Sequence, residues 1–556
     1  MVRVVTFFTA AAVFGANGVA AFAPVVVSRP RLGLTMVSAS VTTPSTPFST
    51  VPDNVSVENP LRVLIAGGGV GGLALANSLA KVPHIKVTVL ERTESFKRFG
   101  GPIQLASNAL RIIKDMDEPV YDQVMSKFTF TGDKKNGIKD GIRDDWYAMF
   151  DLASPAEDRD MPYTGVIERP DLQEIYMGAL PEGVLLNGDG VVGYERNENG
   201  PGVKAVMDSG KTVEGDVLIG ADGIWSAVRA TMRDEPAKGV GSGASYSGYT
   251  VFAGELAYDS FDNGQVGYKV YIGPGQYFVI TDIGKGNYQW YAFLAREPNS
   301  ADSTAMPDGT SAYLQGIFDG WSKDIHHIMK ATKEHEIEQR DLYDRPPSVF
   351  KAWTDGNVAL LGDSVHAMMP NLGQGGCQAL EDAFVLKQEL ESVGTRSEIS
   401  GKLNEYRGRR LIRSAAVQGL SRFASDIIIK GFDTPAKIVK KEDGSIAFEN
   451  FNYAGIVTKI LQPILPLFFI IQFNFLYDGW KNNIKVDFKA ALGFASIGVL
   501  ILAIAGGAFE ELGLGIGSLG VLGLEGLGLE EGVKDVVQEE QVIEKILEAD
   551  LEQIFR

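Results

Sequence analysis

Three kinds of hydrophobic pattern divide this chain. Short apolar runs stand at Leu61–Ala66, Ile85–Leu90, Asp216–Gly220 and Val358–Leu361, with glycines close behind three of them. Runs of this length, rich in Val, Ile and Leu, suit strands buried on both faces of a parallel sheet. A second pattern alternates: Tyr268–Ile272, Gln276–Ile280 and Tyr288–Ala295 predict strands of a half-buried sheet across residues 240–345. Helical periodicity is the third, over Leu73–Lys81, over the basic stretch Lys402–Arg413, and in a helix carrying Cys377, Leu380, Ala383 and Phe384 as apolar positions. Strands alternating with helices predict an α/β fold with a second, mixed sheet.

The last third is more apolar. Ile460–Tyr477 is interrupted by Gln462, Pro463, Pro466, Gln472 and Asn474, which predicts an interfacial or membrane-dipping helix rather than a clean span. Ala490–Phe509 carries no charge between Lys489 and Glu510, long enough for a transmembrane helix; a buried hairpin is the alternative. Residues 511–530 form a Gly/Leu linker, and 533–555 an acidic helix with an apolar stripe.

The chain begins differently. Arg3 precedes the apolar run Val4–Ala16, and no Asp or Glu occurs before Asp53. Residues 1–21 therefore read as a signal peptide and 22–55, rich in Ser and Thr, as a plastid transit peptide joined at Ala21-Phe22-Ala23-Pro24. That leaves 56–430 as the catalytic region, 431–510 as a helical, membrane-associating extension, and 511–556 as linker plus acidic helix. The net charge of −18 argues against a nucleic-acid partner. One cysteine and five histidines leave no basis for a disulfide framework or a metal site. Sixty-four glycines point instead to sites built from backbone and to a Gly-rich tail.

Three segments carry the chemistry. The strand Leu61–Ala66 runs into Gly67-Gly-Gly69-Val-Gly-Gly72, then a helix, then a strand ending at Glu91. Gly67 permits the tight turn, Gly69 lets a pyrophosphate approach the backbone, and Gly72 lets the helix pack on the strand; Glu91 is spaced to bond a ribose. The unit alone does not distinguish NAD(P) from FAD. Downstream, Asp216–Gly220 leads to Asp222-Gly223, and Val358–Leu361 leads to Gly362-Asp363, a loop with Gly373, Gly375 and Gly376, and a helix. A carboxylate at a strand end can bond a polyol, and a bare helix N-terminus can stabilise charge on a reduced flavin.

Together these segments resemble the fingerprint, DG and GD motifs of the single-component flavin monooxygenases. Within that group the chain resembles the zeaxanthin epoxidases, through Gly101–Leu110, Tyr246–Thr250, Tyr277-Phe278, Gln289–Phe293, Leu342–Arg345 and Leu361–Asp382. The resemblance covers roughly 61–430 and implies a Rossmann-like FAD-binding domain with an interposed, aromatic-hydroxylase-like substrate sheet. It implies that Gly67, Gly69, Gly72, Glu91 and Arg92 hold the ADP half of FAD. Arg169 would begin a flavin-contacting helix and Asp222 would serve cofactor and nicotinamide handling. Gly362 and Asp363 would meet the ribityl chain, with Pro370, Gly373, Gly375 and Gly376 lining the isoalloxazine.

The implied reaction is epoxidation of the β-ionone ring double bond of a xanthophyll by O2 through a C4a-hydroperoxyflavin. NAD(P)H or reduced ferredoxin, from an electron-donor protein, would supply electrons, in the plastid at the thylakoid membrane. An alkene needs no general base, so no catalytic acid or base is assigned. Tyr246, Tyr249, Phe278 and Tyr291 are candidate substrate contacts. His366 reads as a packing or loop-fixing residue rather than a proton carrier, Cys377 as a small core residue, and His326, His327 and His335 as a solvated helix face. Two departures stand out: no forkhead-associated segment is evident, and Ala106 replaces the glutamine usual in the epoxidase pattern. A flavin hydroxylase of another aromatic or apolar substrate, or a non-catalytic carotenoid- or flavin-binding membrane protein, are the alternative readings.

Overall fold

The computed structural model describes residue 48 and residues 51–94, 101–197, 201–259, 262–273, 275–299, 306, 308–430, 437–440, 446–449 and 465–478. The two targeting segments, Ala490–Phe509, the Gly/Leu linker and the acidic helix lie outside the described residues, apart from Phe48 and 51–55.

The four buried-type runs pair as neighbours in one six-stranded sheet. Its order is Thr354–Asp355, Val358–Leu360, Val217–Gly220, Leu61–Ala66, Ile85–Glu91 and Leu185–Asn187. All pairs are parallel except the first, an antiparallel hairpin. Register decides what this sheet can do. Ala66 pairs with Gly220, and Gly220 with Leu360. Three turns far apart in sequence, those after Ala66, Gly220 and Leu360, therefore leave the same carboxyl edge side by side. This is the crevice position at which open α/β sheets bind ligands.

Two helices cover that sheet near the edge, Val70–Leu79 and Gly375–Glu391. They approach closely at Gly71, where a Cβ would stand 2.5 Å from Leu361 Cδ2 and 3.0 Å from Ala379 Cβ. Leu73, Leu75, Leu79, Leu380, Ala383 and Leu386 fill one apolar core with the strands.

The second sheet has seven strands, ordered Glu338–Asp344, Ser245–Ala257, Asn287–Ala295, Gln276–Gly284, Val266–Gly273, Lys135–Asp140 and Trp146–Phe150. The last two come from far outside 240–345. The hairpin 135–150 joins through a parallel pairing in which Val270 meets Ile138. Its pattern is broken by Lys135, Lys139 and Asp140, which hides it from a reading of apolar alternation.

Strand alternation gives the sheet two different faces. Phe252, Tyr271, Phe278 and Trp290 point outward under the helices Thr310–Ile317 and Lys323–Ala331, packing on Leu314, Phe318 and Ile325. Tyr249, Val251, Tyr277, Val279 and Phe293 point inward to Met369, at the start of the second glycine loop.

Two further helices bear on the site. Ile399–Lys430 runs 32 residues past the Gly375–Glu391 helix, with the Tyr406 hydroxyl donating to Leu360 O at 2.8 Å. Leu465–Asp478 takes up most of the stretch Ile460–Tyr477 expected to be interfacial and ends one residue beyond it. Its second half docks on the core, with Leu476 and Tyr477 fully buried. Among the described residues no helix is long and apolar enough to cross a membrane.

Candidate cofactor cradle and substrate face

The three turns at the sheet edge are held open by glycines with distinct jobs. Gly67 has φ 108°, and a Cβ on it would meet Ala221 O at 2.5 Å. A Cβ on Gly72 would stand 2.2 Å from Gly67 O. Both are steric necessities. Gly69 differs, since its nearest contact would be Ala221 O at 3.9 Å, leaving room for a group to approach. It is also the N-cap of the Val70–Leu79 helix, with no side chain capping the free amides and no acid in the first turn. Glu91 closes this loop from the side, accepting from Gly68 N at 2.6 Å and Thr93 N at 2.7 Å. Arg92 is exposed beside it.

Asp222 occupies the second turn. Its Oδ2 accepts from Ala227 N at 2.7 Å and Val228 N at 3.2 Å, holding the start of the next helix. Its Oδ1 is buried with no partner. Burial pushes this carboxyl up from its ordinary value, against the pull of the Ser226 hydroxyl and of those backbone N–H groups. Two arginines fix the same turn: Arg345 donates to Ile224 O through Nη2 at 2.9 Å and to Ser242 O at 2.7 Å, and Arg229 donates to Ile224 O at 2.8 Å.

At the third turn Gly362 has φ 64° and Asp363 is exposed. Ser364 folds back, accepting from Leu361 N at 3.0 Å and donating to Gly220 O at 2.7 Å. Pro370–Leu372 forms a single helical turn, and Gly373 (φ 61°) lies against the Gln104 side chain. The Gly375–Glu391 helix begins without a side-chain cap or an acid in its first turn. A Cβ on Gly375 would meet nothing within 4 Å, whereas one on Gly376 would strike Ile103 Cδ1 at 2.5 Å. Two uncapped helix N-termini, two open glycines and an orphaned carboxylate oxygen fit a dinucleotide cofactor with a pyrophosphate at one end and an electron-accepting ring at the other. Arg169 begins the helix Arg169–Ala179 and is exposed.

The candidate substrate aromatics separate. Tyr249 and Tyr291 belong to the inward face, with Tyr268, Tyr277 and Phe293. Tyr277 stacks on Phe293 at 4.1 Å between centroids, and its hydroxyl donates to Asn371 Oδ1 at 3.0 Å, joining the sheet to the glycine loop. Burial pushes the Tyr291 phenol up to about 12, so it stands neutral at physiological pH. Phe278 lies apart from Tyr249 and Tyr291: the alternation puts it on the outward face, fully buried and stacked on Trp290 at 5.3 Å. Tyr246 lies toward the sheet edge, its ring against Tyr343 and its hydroxyl donating to Arg296 O at 3.0 Å.

Behind the second glycine loop lies a buried charge network. Glu381 accepts from Arg413 Nε and Nη2, both at 2.7 Å, from Arg410 Nη1 at 2.5 Å and from Asn108 Nδ2 at 2.8 Å. Asp382 accepts from Arg410 Nε at 2.6 Å and Gly362 N at 2.8 Å, and pairs with His366 Nε2 at 2.7 Å. Burial alone would raise both carboxyls. Arg413 and Arg410 hold Glu381 at about 2, and His366 and Arg410 hold Asp382 at about 2. His366 thus fixes the loop. Cys377 is a core residue whose thiol burial pushes up to about 12. The network carries a sequence signal that went unused. Two adjacent acids stand on a buried helix, and Arg410 and Arg413 lie on one face of the next.

The FAD binding domain family matches residues 60–421. The chain is 42% identical over 392 residues to the chloroplastic zeaxanthin epoxidase of Spinacia oleracea, covering 68% of this chain and 56% of that protein. It is 41% identical over 417 residues to that of Prunus armeniaca, covering 72% and 60%. The chain therefore spans little more than half the length of these relatives. Among solved structures it is similar to Klebsiella pneumoniae HpxO complexed with FAD and uric acid, with TM-score 0.62, 20% identity, and 75% of this chain and 97% of that one covered. It is also similar to a salicylate hydroxylase substrate complex, with TM-score 0.59, 22% identity, and 79% and 98% covered. At these identities the likeness concerns the fold.

Proposed function

Because the chain belongs to the FAD binding domain family, we propose that it is a flavin-dependent monooxygenase that epoxidises the ring double bond of a xanthophyll. The names of its relatives support this reading, and so does their chloroplastic location, with which the basic, acid-free start of the chain agrees. We place its work at the thylakoid membrane, with NAD(P)H or reduced ferredoxin as electron source.

The observation that carries the reading is one of register: Ala66, Gly220 and Leu360 are neighbours, so three cofactor-type turns meet at one edge, opposite an aromatic sheet face. FAD, when bound there, supplies the oxygen-transfer chemistry. The chain's own residues bind, orient and dry the site. The open amides after Gly69 would take the pyrophosphate, and Glu91 the ribose once it yields its bond to Gly68 N. Asp363 stands exposed where a ribityl chain would pass, and the bare start of the Gly375–Glu391 helix would favour negative charge on the reduced ring. Tyr249, Tyr277, Tyr291, Phe293 and Met369 exclude water and position an apolar ring. An alkene brings no proton to remove, and the neutral Tyr291 phenol suits that chemistry better than it suits base catalysis.

The test uses the recombinant protein from about residue 55 onward, a xanthophyll panel, a reductant and O2, with products read by mass. One oxygen atom added per ring is expected. Bound FAD without any epoxide would overturn the reading. Asp363→Ala should abolish epoxide formation; unchanged pigment conversion would favour a non-catalytic pigment-binding role.

A further inference from the structure

The helix Leu465–Asp478 lies beyond the 60–421 span of the FAD binding domain, yet it is fastened into the core. Arg413 donates to Phe475 O at 3.0 Å and to Leu476 O at 2.8 Å, satisfying carbonyls that every helix end leaves open. The same guanidinium holds Glu381 on the glycine-loop helix. The Tyr477 hydroxyl meets Thr164 Oγ1 at 3.0 Å, and Arg159 grips Asp478 through two bonds of 2.7 and 2.6 Å. The last turn is thus anchored to two parts of the flavin lobe.

Two turns earlier the helix reaches the other lobe. Phe469 packs edge-on against Phe150 at 4.6 Å and 79°, and belongs with Tyr249, Tyr277, Phe293 and Met369 to the inward-face cluster. Phe150 sits on the edge strand contributed by the 135–150 hairpin. The helix therefore spans from the support of the glycine loop to the far edge of the substrate sheet.

We propose that this helix is a wall of the substrate chamber and that Phe469 is a specificity-determining residue. It would contact an elongated apolar substrate beyond its reacting ring. The inference rests on the reading that the inward face holds the substrate, and it adds the length-sensing contact. Anchored by Arg413, Tyr477 and Asp478, Phe469 keeps a fixed distance from the glycine loop, so it reads how far a ligand extends.

The experiment compares two ligands with the same ring, a full-length C40 xanthophyll and a shortened apocarotenoid, on the FAD-loaded chain. Phe469→Ala should lower kcat/KM for the C40 substrate by roughly 10- to 100-fold, mostly through KM, and change that of the short one less than about twofold. Phe469→Leu should restore most of the loss. FAD content and melting temperature of each variant exclude a folding defect. Equal losses for both ligands, or none for either, would overturn the proposal. Should the wild type epoxidise neither ligand, the preceding functional reading fails. The inference is then decided by the two affinities, measured by quenching of flavin fluorescence. Weakening confined to the C40 ligand supports it, and parallel or absent weakening sinks it.

Discussion

The two sheets solve opposite problems. The parallel sheet ends in a cradle made of backbone, where what matters is the absence of side chains at Gly67, Gly69, Gly72 and Gly375. The mixed sheet presents a wall made of side chains, where Tyr249, Tyr277, Tyr291 and Phe293 project from three strands. At Gly67 and Gly72 the cradle tolerates no added atom, because a peptide carbonyl cannot step aside. A wall of rings tolerates exchange, because neighbouring side chains can shift into the space.

The comparison can be broken most severely at Gly72. Gly72→Ala puts a methyl 2.2 Å from Gly67 O, so the expected outcome is loss of bound flavin, read from visible absorbance of the purified protein. Gly375→Ala is the contrasting variant. Its Cβ meets no protein atom, so melting temperature should hold while FAD affinity falls. If both variants bind FAD normally, the glycines do not form the cradle.

Next in size is the support beneath the cradle. Glu381→Gln leaves Arg410 and Arg413 without their shared carboxylate and should cost about 3–5 kcal/mol in denaturant unfolding. The same network sets acid stability. Glu381 and Asp382 lie below their ordinary values in the fold. Their contribution is fully present above about pH 5 and should be lost as pH falls from there through about 2.

On the wall, Phe278→Ala should cost about 3–5 kcal/mol through the cavity it leaves on the outward face, with product distribution unchanged. A changed distribution would mean that the outward face touches substrate. The smallest effect is expected of Tyr291→Phe. Its phenol is neutral, so the pH profile of turnover between about pH 6 and 9 should not move; a shifted profile would reveal a proton-transfer role.

The cradle was legible in sequence because its parts are local. Each is a short strand followed by a glycine turn, and Leu61–Ala66 was bounded correctly at both ends. The strands near 268, 276 and 288 were equally visible and only lengthened by the structure. What alternation could not give was the direction of each aromatic relative to the cofactor edge, and so it did not separate Phe278 from Tyr249 and Tyr291. Nor could it reveal the 135–150 hairpin, whose pairing with Val266–Gly273 is long-range and whose polar residues mask its strand pattern. The stretch expected to be interfacial contains a helix whose last turn is fastened by Arg413, a contact between distant segments that no local pattern encodes.

That fastening also orders events during synthesis. Tyr477 lies 313 residues beyond its partner Thr164. At a typical elongation rate of about 5–20 residues per second, roughly 15–60 s separate their emergence from the ribosome. The last strand of the two sheets, Val358–Leu360, is made well inside that interval, and from then until Tyr477 emerges the floor that Leu476 and Tyr477 will cover has no cover. A nascent chain of this protein therefore carries an uncovered apolar seam until almost 480 residues are in place, later than its sheet order alone would require.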